Sequence, residues 1–253
     1  MKVRRTLCAG LIKTGESMTD KKSESGEYWD KHVVSWEAST YYTDKSMPKP
    51  NLWDRFSTFF RGSSLYDRMT IAIEMLTPYV KDLTILDVGC ASGRFANMLL
   101  DAGAARVIGV DVSAEIIEIA NERRLAGPNK DRLEFFAADL AKPIQLPQVD
   151  LVTSLGVIEY FDRNDMMTFL KNTKAKYFFH DFPDVARTTN WLLWWLRQVY
   201  IRVNKCPGVY LYKRDEFTDL VKQAGFAGDV WYVRQSLFHF ASNLPRDPLQ
   251  FKK

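Results

Sequence analysis

From Thr84 onward, short apolar runs alternate with stretches of helical periodicity, and that alternation commits the chain to a mostly parallel sheet with crossover helices. The runs "TILDVG" (84–89), "RVIGVD" (106–111), "LEFFAAD" (133–139), "VDLVTSL" (149–155) and "KYFFHDF" (176–182) read as strands. Two further β-like runs, "DVWYVRQS" and "LFHFAS", follow the helical stretch "RDEFTDLVKQAGF". Seven strands in this order predict a Rossmann-like, doubly wound α/β sheet, mostly parallel, with a C-terminal antiparallel hairpin and helices on both faces. The helices carry their own punctuation. Ser113 caps the one after the second strand, Glu115 sits in its first turn, Arg123 and Arg124 in its last, and Gly127-Pro128 stops it. Gly225 takes the position just past the end of the last helix.

At 253 residues and 46% hydrophobic, the chain can build one sizeable core with appendages. Residues 1–27, rich in Lys, Ser, Thr and Glu, read as a poorly ordered tail, with Met18 a second candidate start. Residues 28–80 are dense in rings, Trp36, Tyr41 and Trp53 among them, and read as a helical cap whose last helix stops near Pro78. Residues 81–253 form the core, with an insertion at 184–211 that contains "WLLWWLRQVYIRV". That stretch is too apolar for a surface connection. It reads as a helix packed on the sheet or on a second copy, as a lid over an acceptor, or as a peripheral membrane contact with Arg187, Arg197, Arg202 and Lys205 beside the rings. Its arginines keep it from crossing a bilayer.

The net charge of +4 is spread without a basic block, so no nucleic-acid partner is expected. Cys8, Cys90 and Cys206 lie far apart without metal-ligand spacing, so no metal site is expected either. A reducing cytoplasm is the simplest home, and the apolar run from Leu7 to Ile12 is too short for a signal-peptide core.

The first strand runs straight into Gly89, Ala91, Ser92 and Gly93, at the carboxyl edge where open α/β sheets bind ligands. Such small residues let a ligand touch main chain. A dinucleotide fingerprint would need glycines where Ala91 and Arg94 stand, and no G-K-[ST] follows, so the ligand lacks a pyrophosphate. Asp111 ends the second strand about 20 residues after the loop, where a carboxylate reaches ribose hydroxyls and can accept from both. Asp139, ending the third, offers an acceptor for an exocyclic amine. Strands four and five end near Glu159, Tyr160, His180 and Asp181. An ordinary histidine titrates near 6.5, which makes His180 the best candidate base, its other reading being a hydrogen-bonded structural group. Glu159 reads as a helix cap or as an orienting group.

"LDVGCASG", "VIGVDVSAEIIEIA", "FFAADL" and "VDLVTSLGVIEYF" resemble, in sequence and order, the successive motifs of class I S-adenosylmethionine-dependent methyltransferases, over about residues 65–242. "GVIEYF" and the later "CPGVYLYKRDEFTDLVKQAGF" look like bacterial small-molecule methyltransferases. Ala91 stands where the family usually has glycine, and Tyr160 where many relatives have histidine. The resemblance implies S-adenosylmethionine as cofactor, with Asp87, Gly89, Ala91 and Gly93 around its methionine part and Asp111 on the ribose. Val112 would pack on adenine, with Ala138 and Asp139 beside its amino group, and Leu155 and Gly156 would line the remaining wall. His180, Tyr160 and Glu159 are the catalytic candidates. Methyl transfer from a sulfonium is an in-line displacement that needs a base only when the nucleophile arrives protonated. No [DN]-P-P-[YF] follows strand four, which disfavours base-modifying amino-methyltransferases; oxygen is the expected target, with nitrogen and carbon open, and the apolar insertion together with the aromatic N-terminal segment points to a small, lipophilic acceptor. Two other readings are a cofactor-binding regulatory protein without turnover and a nicotinamide-dependent oxidoreductase, which the broken fingerprint disfavours.

Overall fold

The computed structural model describes residues 23–40, 65–183, 195, 199, 202–203, 210–235 and 238–251. Each apolar run forms a strand: β1 (Thr84–Val88), β2 (Arg106–Asp111), β3 (Leu133–Ala137), β4 (Val149–Ser154), β5 (Ala175–Pro183), β6 (Trp231–Gln235) and β7 (Phe238–Ser242). They join in one sheet of order β3-β2-β1-β4-β5-β7-β6. Strands β1 to β5 are parallel, and β7 runs antiparallel to both β5 and β6.

The helices are α1 (Glu24–Thr40), α2 (Leu65–Leu76), α3 (Arg94–Asp101), α4 (Ala114–Ala126), α5 (Arg163–Asn172) and α6 (Arg214–Gln223). Side chains alternate across each strand, so the sheet feeds two cores. Ile85, Val107, Leu151 and Phe179 pack with Ala72, Leu99 and Ile116 of α2, α3 and α4. Leu86, Ile108, Val152 and Phe178 pack with Phe169 of α5 and Phe217 of α6. The fold expected from the sequence is therefore present, including its hairpin.

Local chemistry sets the helix ends. Ser113 Oγ accepts the Ile116 N–H at 3.4 Å, and Gly225, at φ +100°, lets the Phe226 N–H reach back to the Val221 carbonyl. Strand order reverses between β1 and β4, so their carboxyl ends open into a crevice.

One expectation about the appendages changes: residues 24–27, read from the sequence as tail, belong to α1, where Ser23 Oγ accepts the Gly26 N–H and the Ser23 N–H donates to Asp139 Oδ2 at 2.7 Å. Of the insertion, Trp195, Val199, Arg202 and Val203 are helical, with Trp195 and Val203 more than half exposed. Most of the remainder, and Tyr41 and Trp53, lie outside the described residues. No helix among the described residues is long and apolar enough to cross a membrane.

Candidate active site at the carboxyl edge

The loop after β1 holds Gly89 at φ +68°, Ala91 at +45° and Gly93 at +81°, a left-handed succession that turns the chain sharply into α3. Two of these positions have no room for a side chain. A Cβ on Gly89 would stand 2.3 Å from Val157 Cγ2, and one on Gly93 would stand 2.5 Å from the Phe135 ring. Phe135 fills the gap above Gly109 as well, where a Cβ would lie 2.4 Å from it, so one buried ring from β3 wedges the loop against β2. Ala91 accepts its strained φ where the family usually has glycine.

The pocket beside this loop holds about 350 Å³ of empty space, partly open to solvent, and is lined by Glu37, Met69, Asp87, Gly89, Ala91, Ser92 and Leu155, among others. Asp87 is 2% exposed. Its Oδ1 accepts the Thr153 hydroxyl at 3.2 Å, and its Oδ2 is buried without a partner among the described residues. Burial pushes Asp87 up to about 7; the Thr153 bond pulls it down and the nearby Asp111 charge adds to the rise. Asp111 accepts the Ala91 N–H through Oδ2 and the Ser113 N–H through Oδ1, both at 3.1 Å. Burial lifts it to about 6, the N–H groups of Ser113, Ala91 and Val112 restraining the rise while Glu37 adds to it. One carboxylate thus ties the glycine loop to the start of α4.

Helix α1 roofs this edge. Its Ser23 N–H occupies Asp139 Oδ2, and Gly26 sits against Val112, where an added Cβ would come within 2.9 Å of Val112 Cγ2. Asp139 Oδ1 accepts the Ala141 N–H. At the other end of α1, the Glu37 carboxylate is 1% exposed. It accepts the N–H and the hydroxyl of Ser92, and pairs with Arg94 Nε and Arg123 Nη1 at 3.1 Å. Trp29 meets Tyr160 edge-on at 5.1 Å between centroids, which brings the N-terminal helix to the end of β4.

Asp87, Gly89, Ala91 and Leu155 line one opening, Gly93 follows in the same loop, Asp111 is tied to it through the Ala91 N–H, and Val112 and Asp139 lie under α1. Ala138 adjoins them as β3 leaves the sheet, its N–H donating to the Asp111 carbonyl. Gly156 follows Leu155 at φ +71°. Glu159 and Tyr160 form a single helical turn after β4, with Glu159 buried and Tyr160 half-buried. Sequence reasoning missed Ser23, Glu37, Arg68 and Arg123 as contributors to this edge, because nothing local marks a partner more than 50 residues away.

His180 is the correction. It is fully buried on the opposite face of β5, between Phe178 (5.3 Å between centroids), Phe169 (5.6 Å) and Phe217 (6.3 Å). Its Nδ1 lies 2.8 Å from Ser154 Oγ. Burial drives its pKa down to about 3, so at neutral pH the ring is an uncharged, very weak base sealed in the core under α5 and α6. That placement withdraws it from the base role. We predict that His180→Gln lowers the melting temperature yet leaves the dissociation constant for S-adenosylhomocysteine within about threefold of wild type, less than 1 kcal/mol, by calorimetry.

Residues 85–175 match the model of the methyltransferase domain family. The chain is 32% identical over 149 residues to magnesium-protoporphyrin O-methyltransferase of Rhodobacter capsulatus, a match covering 55% of this chain and 63% of that protein. It is 29% identical over 153 residues to ribosomal protein L11 methyltransferase of Aquifex aeolicus, covering 58% and 60%. The chain thus spans less than two thirds of the length of these relatives. The crystal structure of magnesium protoporphyrin IX methyltransferase from Synechocystis with bound S-adenosylhomocysteine superposes with a TM-score of 0.61 at 15% identity, covering 85% of this chain and 95% of that one. Residues 85–175 thus carry a methyltransferase domain, on a sheet whose fold is shared with S-adenosylmethionine-dependent methyltransferases of solved structure.

Proposed function

We propose that the protein binds S-adenosylmethionine in the β1/β4 crevice and catalyses transfer of its methyl group to an oxygen of a small, lipophilic acceptor. One observation supports the cofactor reading: Asp87 lines a pocket walled by the bare main chain of the glycine loop, and its buried Oδ2 has no partner among the described residues. A buried carboxylate oxygen with no donor calls for one, and the α-amino group of the cofactor is of the right charge. Asp111 retains lone pairs beyond its backbone bonds for the ribose hydroxyls. The bound cofactor supplies a methyl group already activated by the sulfonium charge, so the residues of this chain need to orient the acceptor and exclude water.

Enclosure favours a small acceptor. Glu37 of α1 lines one side of the pocket, Met69 and Leu155 contribute apolar wall, and Trp29 of the same helix packs on Tyr160 beyond the end of β4. One relative is an O-methyltransferase; another acts on ribosomal protein L11, and the tRNA U34 carboxymethyltransferase of a Shewanella strain is 27% identical over 148 residues. With His180 withdrawn, an oxygen that arrives already ionised, such as a carboxylate, suits the site, and Tyr160 and Glu159 remain the groups able to assist a protonated one.

Calorimetry with S-adenosylhomocysteine and NAD tests the cofactor, and incubation of S-adenosylmethionine with lipophilic carboxylic acids and phenols, read by mass spectrometry, tests the acceptor. The expected result is binding of S-adenosylhomocysteine, none of NAD, and a methyl ester or ether. Binding without any product would favour the regulatory reading. Because the Ser23 N–H occupies Asp139 Oδ2, seating adenine there requires the first turn of α1 to give way. Saturation with S-adenosylhomocysteine should therefore speed amide exchange at Ser23 and Gly26 while slowing it at Ala91 and Ser92. Uniform slowing would remove Asp139 from the adenine site.

A further inference from the structure

We infer that Asp181 and Arg68 are a positioning pair that fixes the Leu155–Gly156 wall of the pocket, an inference resting on the cofactor reading above. Asp181 is 0% exposed and divides its carboxylate between two donors. Its Oδ1 accepts the Gly156 N–H at 2.5 Å, and its Oδ2 accepts from Arg68 Nη1 at 2.9 Å. The bond therefore ties the end of β5 to the loop after β4 and to α2.

Both ends of the tie adjoin the pocket. Met69 neighbours Arg68, Leu155 neighbours Gly156, and both Met69 and Leu155 line the opening. On the far side of Gly156, Val157 leaves no room for a Cβ on Gly89, so the loop after β4 also buttresses the glycine loop. A shift of Gly156 would reach both walls at once.

Gly156 needs this partner. Strand β4 ends at Ser154, so its N–H is outside the sheet ladder, and its φ of +71° turns the N–H toward β5. A buried N–H left without an acceptor is costly. Arg68 accounts for the other carboxylate oxygen and thereby aims the first at the loop. The guanidinium is itself held in place, with Cζ 4.1 Å from the Phe238 ring centroid and the side chain 13% exposed. Burial opposes its charge, but Asp181 and Glu159 outweigh that and hold its pKa above the ordinary arginine value. A buried ion pair gives little net stability over apolar residues of similar volume, so stability alone does not call for one here. An acceptor aimed at one backbone N–H in the pocket wall does.

The test compares two double variants that both remove the ion pair and differ only at position 181, so that the effect of losing Arg68 on the buried Glu159 is common to both. Arg68→Met/Asp181→Asn keeps a carbonyl acceptor for the Gly156 N–H; Arg68→Met/Asp181→Leu does not. Calorimetric titration with S-adenosylhomocysteine should give a dissociation constant within about threefold of wild type for the first and at least about tenfold weaker for the second, with similar melting temperatures. Equal affinities in the two variants, whether both intact or both weakened, would overturn the inference. Should either variant fail to fold, wild-type protein labelled with ¹⁵N-glycine decides: the Gly156 amide should exchange more slowly on saturation with S-adenosylhomocysteine, and an unaltered rate and shift would overturn the inference. Wild-type protein that binds no S-adenosylhomocysteine refutes the cofactor reading itself, whereas wild-type binding with indifferent variants refutes only the positioning pair.

Discussion

Asp111→Ala is expected to weaken S-adenosylhomocysteine binding by more than tenfold while the sheet stays folded. The carboxylate does two jobs. It is the acceptor at the end of β2 for the ribose hydroxyls in the proposed complex, and it holds the N–H groups of Ala91 and Ser113 at 3.1 Å. Hydrogen bonds to a charged group contribute roughly 1.5–3 kcal/mol each, and truncation removes the ribose contacts along with the bond that shapes the loop. Asp111→Asn, which keeps one carbonyl oxygen, should fall between wild type and alanine. Asp150 is the control, since its Oδ2 accepts the Thr84 N–H at the opposite edge of the sheet. Asp150→Ala should leave affinity unchanged. An Asp111→Ala protein that binds as wild type does would take Asp111 out of the cofactor site.

The strands, their order of use and the glycine loop were legible because each is written in local chemistry. Period-two apolar runs, a capping serine and small residues at a strand end need no knowledge of distant contacts. Glu37, Arg68 and Ser23 were not legible for the opposite reason. Their partners Ser92, Asp181 and Asp139 lie 55, 113 and 116 residues away, and each pairing depends on where the N-terminal helices cross the sheet.

His180 fails differently. Position at a strand end says how near a residue lies to the ligand edge, but adjacent residues there point to opposite faces. Asp181 points toward Gly156 and Arg68, and His180 into the aromatic core. Nothing in the run distinguishes the two faces, because Tyr177 and Phe179 beside Asp181 are as aromatic as Phe178 and Phe182 beside His180.

The two raised carboxylates predict opposite pH trends for the free and the bound protein. Asp87 at about 7 and Asp111 at about 6 both lie above their ordinary range near 3.8, with burial as the main cause, so the folded, ligand-free protein holds protons that the unfolded chain has released. Their contribution to stability is present below about pH 4 and is lost as pH rises through 6 and 7, the sign for any group whose folded pKa is raised. From these groups alone, the melting temperature of the free protein should fall between pH 5 and 7.5. Cofactor binding runs the other way. An α-amino cation beside Asp87 Oδ2 requires the ionised carboxylate, so binding below pH 7 must first release a proton. With a single group at about 7, affinity for S-adenosylhomocysteine should weaken by about tenfold from pH 8 to pH 6. Calorimetry in buffers of different ionisation enthalpy would read the released proton directly at pH 6. Asp87→Asn should abolish most of this pH dependence, leaving a smaller part from Asp111. A dissociation constant that is flat from pH 6 to 8 in the wild-type protein would mean that Asp87 does not meet the amino group, and that its buried oxygen serves the fold rather than the ligand.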